Sequence, residues 1–359
     1  MHRTLAAAVV LAFVAACGDS SKKTDSTAGA PATPATSTTS GSDLTGAGAT
    51  FPNPLYSKWF DAYATKTGVK VNYQSIGSGG GIRQLSEQTV DFGATDAPMS
   101  DAELAKAKGG AVLHVPTALG AVAIVYNLTE VTQPIKLTGD VLAAIYQGQV
   151  TKWNDARIAS LNAGVKLPAT DILVVHRSDG SGTSYVFTDY LANVSAPWAT
   201  KPGKGKEVQW PVGLGAKGNE GVAGQVKQTP GAIGYVELAY ANQNKMSTAM
   251  MKNAAGEFVA PTIASVTAAA AGAAAKLPAT TDYRVSIVNA AGPGVYPISS
   301  FTWIILYEKQ ADAAKGKKVV DLLKWALSAE AQAMEAPLDY APLPDKMRSD
   351  LLAKLDTVK

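Results

Sequence analysis

Groups suited to holding an anion are concentrated in one short stretch of this sequence. Arg177 is followed by Ser178-Asp179-Gly180-Ser181-Gly182-Thr183-Ser184. A guanidinium is a permanently charged, planar donor that matches the oxygens of a phosphate or a carboxylate. The hydroxyls of Ser181 and Thr183 add neutral donors. These residue types at this spacing predict a site for a small oxyanion.

The flanking residues predict the elements that position this stretch. An apolar, β-branched run over residues 172–175 indicates a buried strand, and aromatic residues at helical spacing from Tyr185 indicate a helix. The loop therefore leads into a helix N-terminus, where free N–H groups and the helix dipole attract anions. Because no Gly-Lys-Ser or Gly-Lys-Thr occurs here, the loop is not a nucleotide P-loop.

Two further glycine-rich loops precede helical patterns, one around Thr50 and one around Ser78. A single loop of this kind is weak evidence, since glycine is also a common turn and cap residue. Three loops, each rich in serine or threonine, favour one shared anion site. Hydroxyls and N–H groups bind an anion without an excess of cations, which agrees with a net charge of only +3.

Asp96 ends a short predicted strand and is unexpected in an anion site, because a carboxylate repels an anion. It becomes useful if the ligand carries a proton, as monobasic and dibasic phosphate do and sulfate at neutral pH does not. A sulfate would leave Asp96 facing a dianion with no compensating hydrogen bond. We therefore expect Asp96 to select phosphate over sulfate, the alternative being a turn or N-cap carboxylate.

Asp179 is expected to fix the guanidinium of Arg177 by an ion pair, the alternative being an Asx-turn. The same region contains His176, Asp179 and Ser181, which raises the alternative of a serine hydrolase. The sequence has no G-x-S-x-G elbow, and in an extended strand His176 points away from Arg177.

Residues 213–218 match G-x-G-x-x-G, but the preceding strand candidate, residues 208–212, is short and contains a proline. Dinucleotide binding is therefore disfavoured. No Cys/His cluster has the spacing of metal ligands, so we expect neither metal nor cofactor.

The length of 359 residues predicts two domains, and strands alternating with helices predict an α/β fold with mainly parallel sheets. A break at Pro116 to Gly120 is expected to divide the strands of residues 111–126. The nearly neutral charge gives no support for nucleic-acid binding.

The N-terminus has the pattern of a secretory signal peptide over residues 1–16. Cys17, the only cysteine, follows directly and is similar to the lipidated cysteine of a bacterial lipobox, the alternative being ordinary cleavage beside an incidental cysteine. Residues 17–43 are rich in Ser, Thr, Ala, Gly and Pro and predict a flexible tether. We expect a domain held by lipid at the periplasmic or extracellular side of the membrane.

From Leu44 to about Leu355 the chain resembles the phosphate-binding lipoproteins of bacterial high-affinity phosphate ABC transporters. Five blocks carry the resemblance: Leu44-Thr45-Gly46-Ala47-Gly48-Ala49-Thr50-Phe51-Pro52, Val90-Asp91-Phe92-Gly93-Ala94-Thr95-Asp96-Ala97-Pro98, Ser178-Asp179-Gly180-Ser181-Gly182-Thr183-Ser184, Pro230-Gly231-Ala232-Ile233-Gly234-Tyr235-Val236-Glu237 and Leu338-Asp339-Tyr340-Ala341. One departure is Gly79, which stands where the family pattern has a second serine. The resemblance implies that the phosphate is contacted by Thr50, Phe51, Ser78, Asp96, Arg177, Ser181, Gly182 and Thr183.

The resemblance also implies a hinged, two-lobed Venus flytrap fold of the periplasmic-binding-protein type II. We expect lobe I to comprise residues 44–117 and 296–359, and lobe II residues 118–295. The expected function is capture of inorganic phosphate and its delivery to ABC-transporter permease subunits, by a monomer that is not an enzyme. The main alternative is the same fold with a site for sulfate or molybdate. A less favoured alternative is a secreted serine hydrolase that uses Ser181.

Overall fold

The computed structural model describes residues 43–274 and 282–359. The expected signal peptide, Cys17 and residues 17–42 of the expected tether lie outside the described residues. Asp43, the last residue assigned to the tether, already contacts the folded part. Its carboxylate accepts hydrogen bonds from the Lys70 N–H at 3.1 Å and from Lys318 Nζ at 2.7 Å.

Strands and helices alternate in the first part of the chain, as their hydrophobic periodicity predicts. The elements are β1 (Leu44–Gly48), α1 (Asn53–Thr67), β2 (Val71–Ser75), α2 (Ser78–Ser86), β3 (Phe92–Thr95), α3 (Asp101–Leu104) and β4 (Val112–Tyr126). The apolar residues at helical spacing in α1 are all buried. The capping box expected from Ser100 and Glu103 is confirmed, since each side chain accepts a hydrogen bond from the other residue's backbone N–H.

The middle of the chain contains β5 (Lys136–Leu137), α4 (Gly139–Tyr146), α5 (Ala156–Ala159), β6 (Leu173–Arg177), α6 (Gly182–Val194), α7 (Ala196–Thr200), β7 (Leu214–Ala216), α8 (Gly218–Gln228), β8 (Ala232–Glu237), α9 (Leu238–Gln243), β9 (Ser247–Thr248), β10 (Met250–Lys252), β11 (Phe258–Val259) and α10 (Ile263–Ala274). The last part contains β12 (Ser299–Tyr307), α11 (Ala313–Ala326), α12 (Ala329–Gln332), a 3-10 turn (Ala336–Leu338) and α13 (Asp345–Leu355).

The main sheet has the strand order β2-β1-β3-β12-β4-β8-β6-β7, and β9 pairs with β4. Both ends of the sheet are parallel, as predicted: β1 runs parallel to β2 and β3, and β6 runs parallel to β7 and β8. The centre is antiparallel, since β12 runs opposite to β3 and β4, and β4 runs opposite to β8, so the prediction of mainly parallel sheets is correct only for the two ends. The fold is two-lobed, with one parallel group of strands in each lobe.

The expected break at Pro116 to Gly120 is wrong, because β4 runs through it without interruption. The register with β12 shifts there, so that Thr302 pairs with Ala118 whereas Trp303 pairs with Pro116. A bulge tolerates a proline, which lacks the N–H that a regular ladder requires. The strand can therefore pass from the first lobe, built on β1 to β3, to the second lobe, built on β6 to β8.

Aromatic packing in the second lobe connects its core to the predicted anion loop. The rings of Phe187 and Tyr235 stack with centroids 4.2 Å apart and planes 9° apart. The Tyr235 hydroxyl accepts a hydrogen bond from the Arg177 N–H at 3.1 Å and lies 2.6 Å from the Ser184 hydroxyl. The end of β6 and the first turn of α6 are thus held against one rigid side chain.

Candidate anion-binding site

The glycine-rich loops of the two lobes contact each other directly. The Gly79 N–H donates to the Gly180 carbonyl at 2.8 Å. A Cβ atom on Gly79 would lie 3.2 Å from the Gly180 Cα, and a Cβ atom on Gly182 would lie 2.3 Å from Ser78 Oγ. The absence of side chains at these glycines therefore permits the lobes to meet around the predicted site.

Arg177 is the last residue of β6, and its side chain is almost completely buried. Its Nε donates to Asp179 Oδ1 at 2.7 Å, its Nη2 to Asp179 Oδ2 at 2.5 Å and its Nη1 to Thr183 Oγ1 at 3.4 Å. The expected ion pair between Arg177 and Asp179 is confirmed. It fixes the plane of the guanidinium and leaves Nη1 and Nη2 with further hydrogens to donate.

The electrostatics of Asp179 agree with this role. Burial acts to raise the pKa of its carboxyl, but the hydrogen bonds and charge of Arg177, together with the Gly218 N–H at 3.1 Å, hold the pKa below its ordinary value. The carboxylate is therefore ionised at neutral pH. The Asp179 carboxylate therefore balances the charge of the Arg177 guanidinium, and the remaining N–H groups of Arg177 can still donate hydrogen bonds to a bound anion.

The predicted helix N-terminus begins at Gly182, with Ser181 as the N-cap. Ser181 Oγ accepts a hydrogen bond from the Ser184 N–H at 3.0 Å. The N–H groups of Gly182 and Thr183 belong to the first turn, where helical geometry provides no carbonyl acceptor. This terminus can therefore donate backbone hydrogen bonds to an anion, as can the terminus of α2, which begins at Ser78.

Asp96 follows β3 directly and is 1% exposed. Its Oδ1 accepts from the Thr302 hydroxyl at 2.9 Å, and its backbone N–H donates to Ser78 Oγ at 3.1 Å. Among the described residues, Oδ2 has no hydrogen-bond donor. Burial raises the pKa of this carboxyl to about 7, although Thr302, the charge of Arg177 and Ser78 act to lower it.

Thr50 and Phe51 lie between β1 and α1 and are also buried. The Tyr240 hydroxyl donates to the Thr50 carbonyl at 2.6 Å, and the Tyr340 hydroxyl donates to the Phe51 carbonyl at 2.6 Å. These bonds fix the backbone of the loop. Contacts between the lobes thus bring Thr50, Ser78, Asp96, Gly182 and Thr183 close together, with Arg177 bonded to Thr183. Phe51 and Ser181 are the chain neighbours of Thr50 and Gly182.

Sequence reasoning missed two buried polar side chains at this interface. Thr302 lies in β12, and its hydroxyl donates a hydrogen bond to Asp96. In the sequence it is a single hydroxyl residue within an apolar run, which gives no signal of this role. Asn219 donates from Nδ2 to Thr50 Oγ1 at 2.7 Å and to Thr183 Oγ1 at 3.1 Å. A signal for Asn219 was present, since it follows the glycine-rich segment of residues 213–218.

Residues 213–218 form β7 and the start of α8. Residues 208–212, the strand candidate before them, do not form a strand. His176 stacks on Trp210 with ring centroids 4.7 Å apart, as expected for a side chain that does not serve Ser181. No group of metal-ligating side chains occurs within the described part of the chain.

A cavity of about 550 Å³ borders Asp96 between the lobes. Trp303 and Met99 line it from one side, and Tyr185 and Lys206 line it from the other. Lys206 also forms an ion pair with Glu103 at 2.8 Å. Asp96 borders this cavity although the residue is only 1% exposed.

In residues 43–274 and 282–359, none of the helices has the length and apolar character needed to cross a bilayer.

Comparison with known proteins agrees with this geometry. A family model described as a PBP superfamily domain matches residues 32–330. The chain is 48% identical over 306 residues to the phosphate-binding protein PstS of Xylella fastidiosa strain Temecula1, covering 85% of this chain and 82% of that protein. It is 44% identical over 321 residues to PstS of Pasteurella multocida strain Pm70, covering 89% and 92%. The chain belongs to the PstS family of phosphate-binding proteins.

A solved structure supports the fold of this PstS family member. It is a high-affinity periplasmic phosphate-binding protein bound with phosphate, with a TM-score of 0.68 and 24% identity, covering 87% of this chain and 93% of that chain. The resemblance to phosphate-binding proteins that the five sequence blocks indicated is confirmed, and the two-lobed α/β fold is confirmed as well.

Proposed function

We propose that this protein captures inorganic phosphate between its two lobes outside the cytoplasm and delivers it to the permease subunits of an ABC transporter. The supporting observation is Asp96 Oδ2, a buried acceptor that lacks a donor among the described residues. It lies in the same interface as Arg177 and the N-termini of α2 and α6. Such a site suits an anion that also carries a proton, as phosphate does.

The ligand contacts in this proposal are those expected from the sequence. Arg177, Ser181, Gly182 and Thr183 bind phosphate from the second lobe, and Thr50, Phe51, Ser78 and Asp96 bind it from the first. Asp179 orients Arg177. Since both lobes contact one ligand, binding favours closure of the lobes.

The wider assignments also belong to the proposal. Lobe I comprises residues 44–117 and 296–359, lobe II comprises residues 118–295, and lipid at Cys17 holds the monomer at the membrane. The protein makes and breaks no bond in its ligand and uses no cofactor. Ser181 is engaged as a helix cap, and His176 stacks on Trp210, so His176 does not serve as a general base for Ser181.

Isothermal titration of the purified protein with phosphate, arsenate and sulfate at pH 7.5 tests the proposal. Phosphate should bind most tightly, and arsenate, which also carries a proton at this pH, should compete with it. Sulfate that binds as tightly as phosphate would overturn the assignment.

Arg177→Ala should weaken phosphate binding by at least about tenfold, since a hydrogen bond to a charged group contributes roughly 1.5–3 kcal/mol. Arg157→Ala is a matched control, because Arg157 makes the same bidentate pair with a carboxylate two residues away, Asp155, in an exposed position. Titration calorimetry should find the affinity of that control unchanged. Equal affinities for Arg177→Ala and the wild type would remove Arg177 from the contact set.

A further inference from the structure

Asn219 occupies the first turn of α8 and is completely buried where the lobes meet. Its Nδ2 donates to Thr50 Oγ1 in the first lobe and to Thr183 Oγ1 in the second. Its backbone N–H also donates to Thr50 Oγ1, at 3.3 Å. One side chain therefore links two hydroxyls that the proposed function assigns to phosphate binding.

The orientation of the Asn219 amide is fixed by chemistry. The Glu237 backbone N–H lies 2.8 Å from Oδ1, and an N–H group can only donate. The atom facing Glu237 must therefore be the oxygen, and the NH₂ group must face the two threonines.

The two threonine hydroxyls are consequently saturated as acceptors. A hydroxyl has one proton and two acceptor positions. Thr50 Oγ1 accepts from the backbone and side chain of Asn219, and Thr183 Oγ1 accepts from Asn219 Nδ2 and from Arg177 Nη1. Each hydroxyl then has only its proton left to offer.

We propose that Asn219 is a positioning residue that directs the hydroxyl protons of Thr50 and Thr183 toward the bound anion. This inference rests on the proposed function and deepens it. Oxygens of the anion that face the threonines act as acceptors there, and a P–OH group cannot donate its hydrogen bond toward hydroxyls that are themselves donating. The proton of a phosphate is therefore directed to the opposite acceptor, Asp96.

Two substitutions separate this role from simple packing. Asn219→Asp keeps the shape and the bond from Glu237 but replaces both donors by an acceptor, which the threonine protons then satisfy. Asn219→Ala leaves a cavity and an unpaired Glu237 N–H, and it frees one of the two acceptor positions on each hydroxyl, since the residue 219 N–H and Arg177 Nη1 still donate to them. We expect phosphate affinity to fall about thirtyfold in Asn219→Asp and about threefold to fivefold in Asn219→Ala, from the loss or weakening of one or two hydrogen bonds.

Thermal unfolding should show a different order, with Asn219→Ala losing at least as much stability as Asn219→Asp. A packing role predicts that affinity follows stability, so an affinity loss larger in Asn219→Ala would overturn the proposal. Asn162→Asp provides the matched control. Asn162 is also buried and uses both its amide groups, but its partners are the backbones of Lys136 and Ile158. Its substitution should lower the unfolding temperature and leave phosphate affinity unchanged.

A double-mutant cycle with Thr183→Val completes the test. In the wild-type background this change should weaken binding about tenfold, and in the Asn219→Asp background it should weaken binding by less than about threefold, because the proton has already been redirected. Additive effects would overturn the proposal. Wild-type protein that does not bind phosphate would instead refute the proposed function itself.

Discussion

Replacing Gly182 with alanine is expected to lower phosphate affinity about 100-fold or more. The added Cβ would lie 2.3 Å from Ser78 Oγ and 2.5 Å from Asp96 Oδ2, both in the opposite lobe. Such distances force the lobes apart, so that phosphate loses the contacts of one lobe. Two lost hydrogen bonds to a charged ligand, at roughly 1.5–3 kcal/mol each, account for this factor.

Gly224→Ala is the control for this substitution. Gly224 lies within α8 in the same lobe, and a Cβ atom there would meet no heavy atom within 4 Å. Its replacement should leave affinity unchanged and stabilise the helix by roughly 0.5–1 kcal/mol. Titration calorimetry measures the affinities, and small-angle scattering with and without phosphate measures closure. Gly182→Ala protein that binds and closes like the wild type would show that the lobes do not approach each other at this glycine in the complex.

Asp96→Asn is expected to reduce the preference for phosphate over sulfate about 100-fold, because it changes both affinities in opposite directions. Phosphate loses an ionised acceptor for its proton. Sulfate no longer faces a carboxylate, since the asparagine amide can donate to it. Asp189→Asn is the control: this buried carboxylate pairs with Lys204 and Ser286, and its neutralisation should leave the ratio unchanged.

The pH dependence of sulfate binding gives an independent test of Asp96. Burial raises the pKa of this carboxyl to about 7, so it is protonated below pH 7 and ionised above. Because sulfate brings no proton, its binding requires the protonated carboxyl, and its affinity should fall about tenfold for each pH unit above 7. Phosphate should keep its affinity to at least about pH 8, since dibasic phosphate still carries a proton. A sulfate affinity in the wild type that is as independent of pH as in Asp96→Asn would contradict the role of Asp96.

The sequence alone determined the local units of the site. The strand before Arg177, the glycine-rich loop and the helix start at Gly182 follow from periodicity and turn chemistry over neighbouring residues. The ion pair between Arg177 and Asp179 was predictable because the two residues are only two positions apart in the sequence. The acceptor role expected for Asp96 follows from the chemistry of a carboxylate among donors, without knowledge of its neighbours.

Tertiary structure decided how these units meet. Pro116 suggested an interruption of β4, but pairing with β12 through a bulge keeps one continuous strand that joins the two lobes. Thr302 lies 206 residues from Asp96 in the chain, and Asn219 lies 169 residues from Thr50. Local patterns cannot predict such pairs, because only the packing of distant strands and helices brings the atoms within hydrogen-bonding distance. The sequence identified the groups that can hold the anion, whereas the fold determined which hydroxyls are oriented toward it and how closely the lobes approach each other.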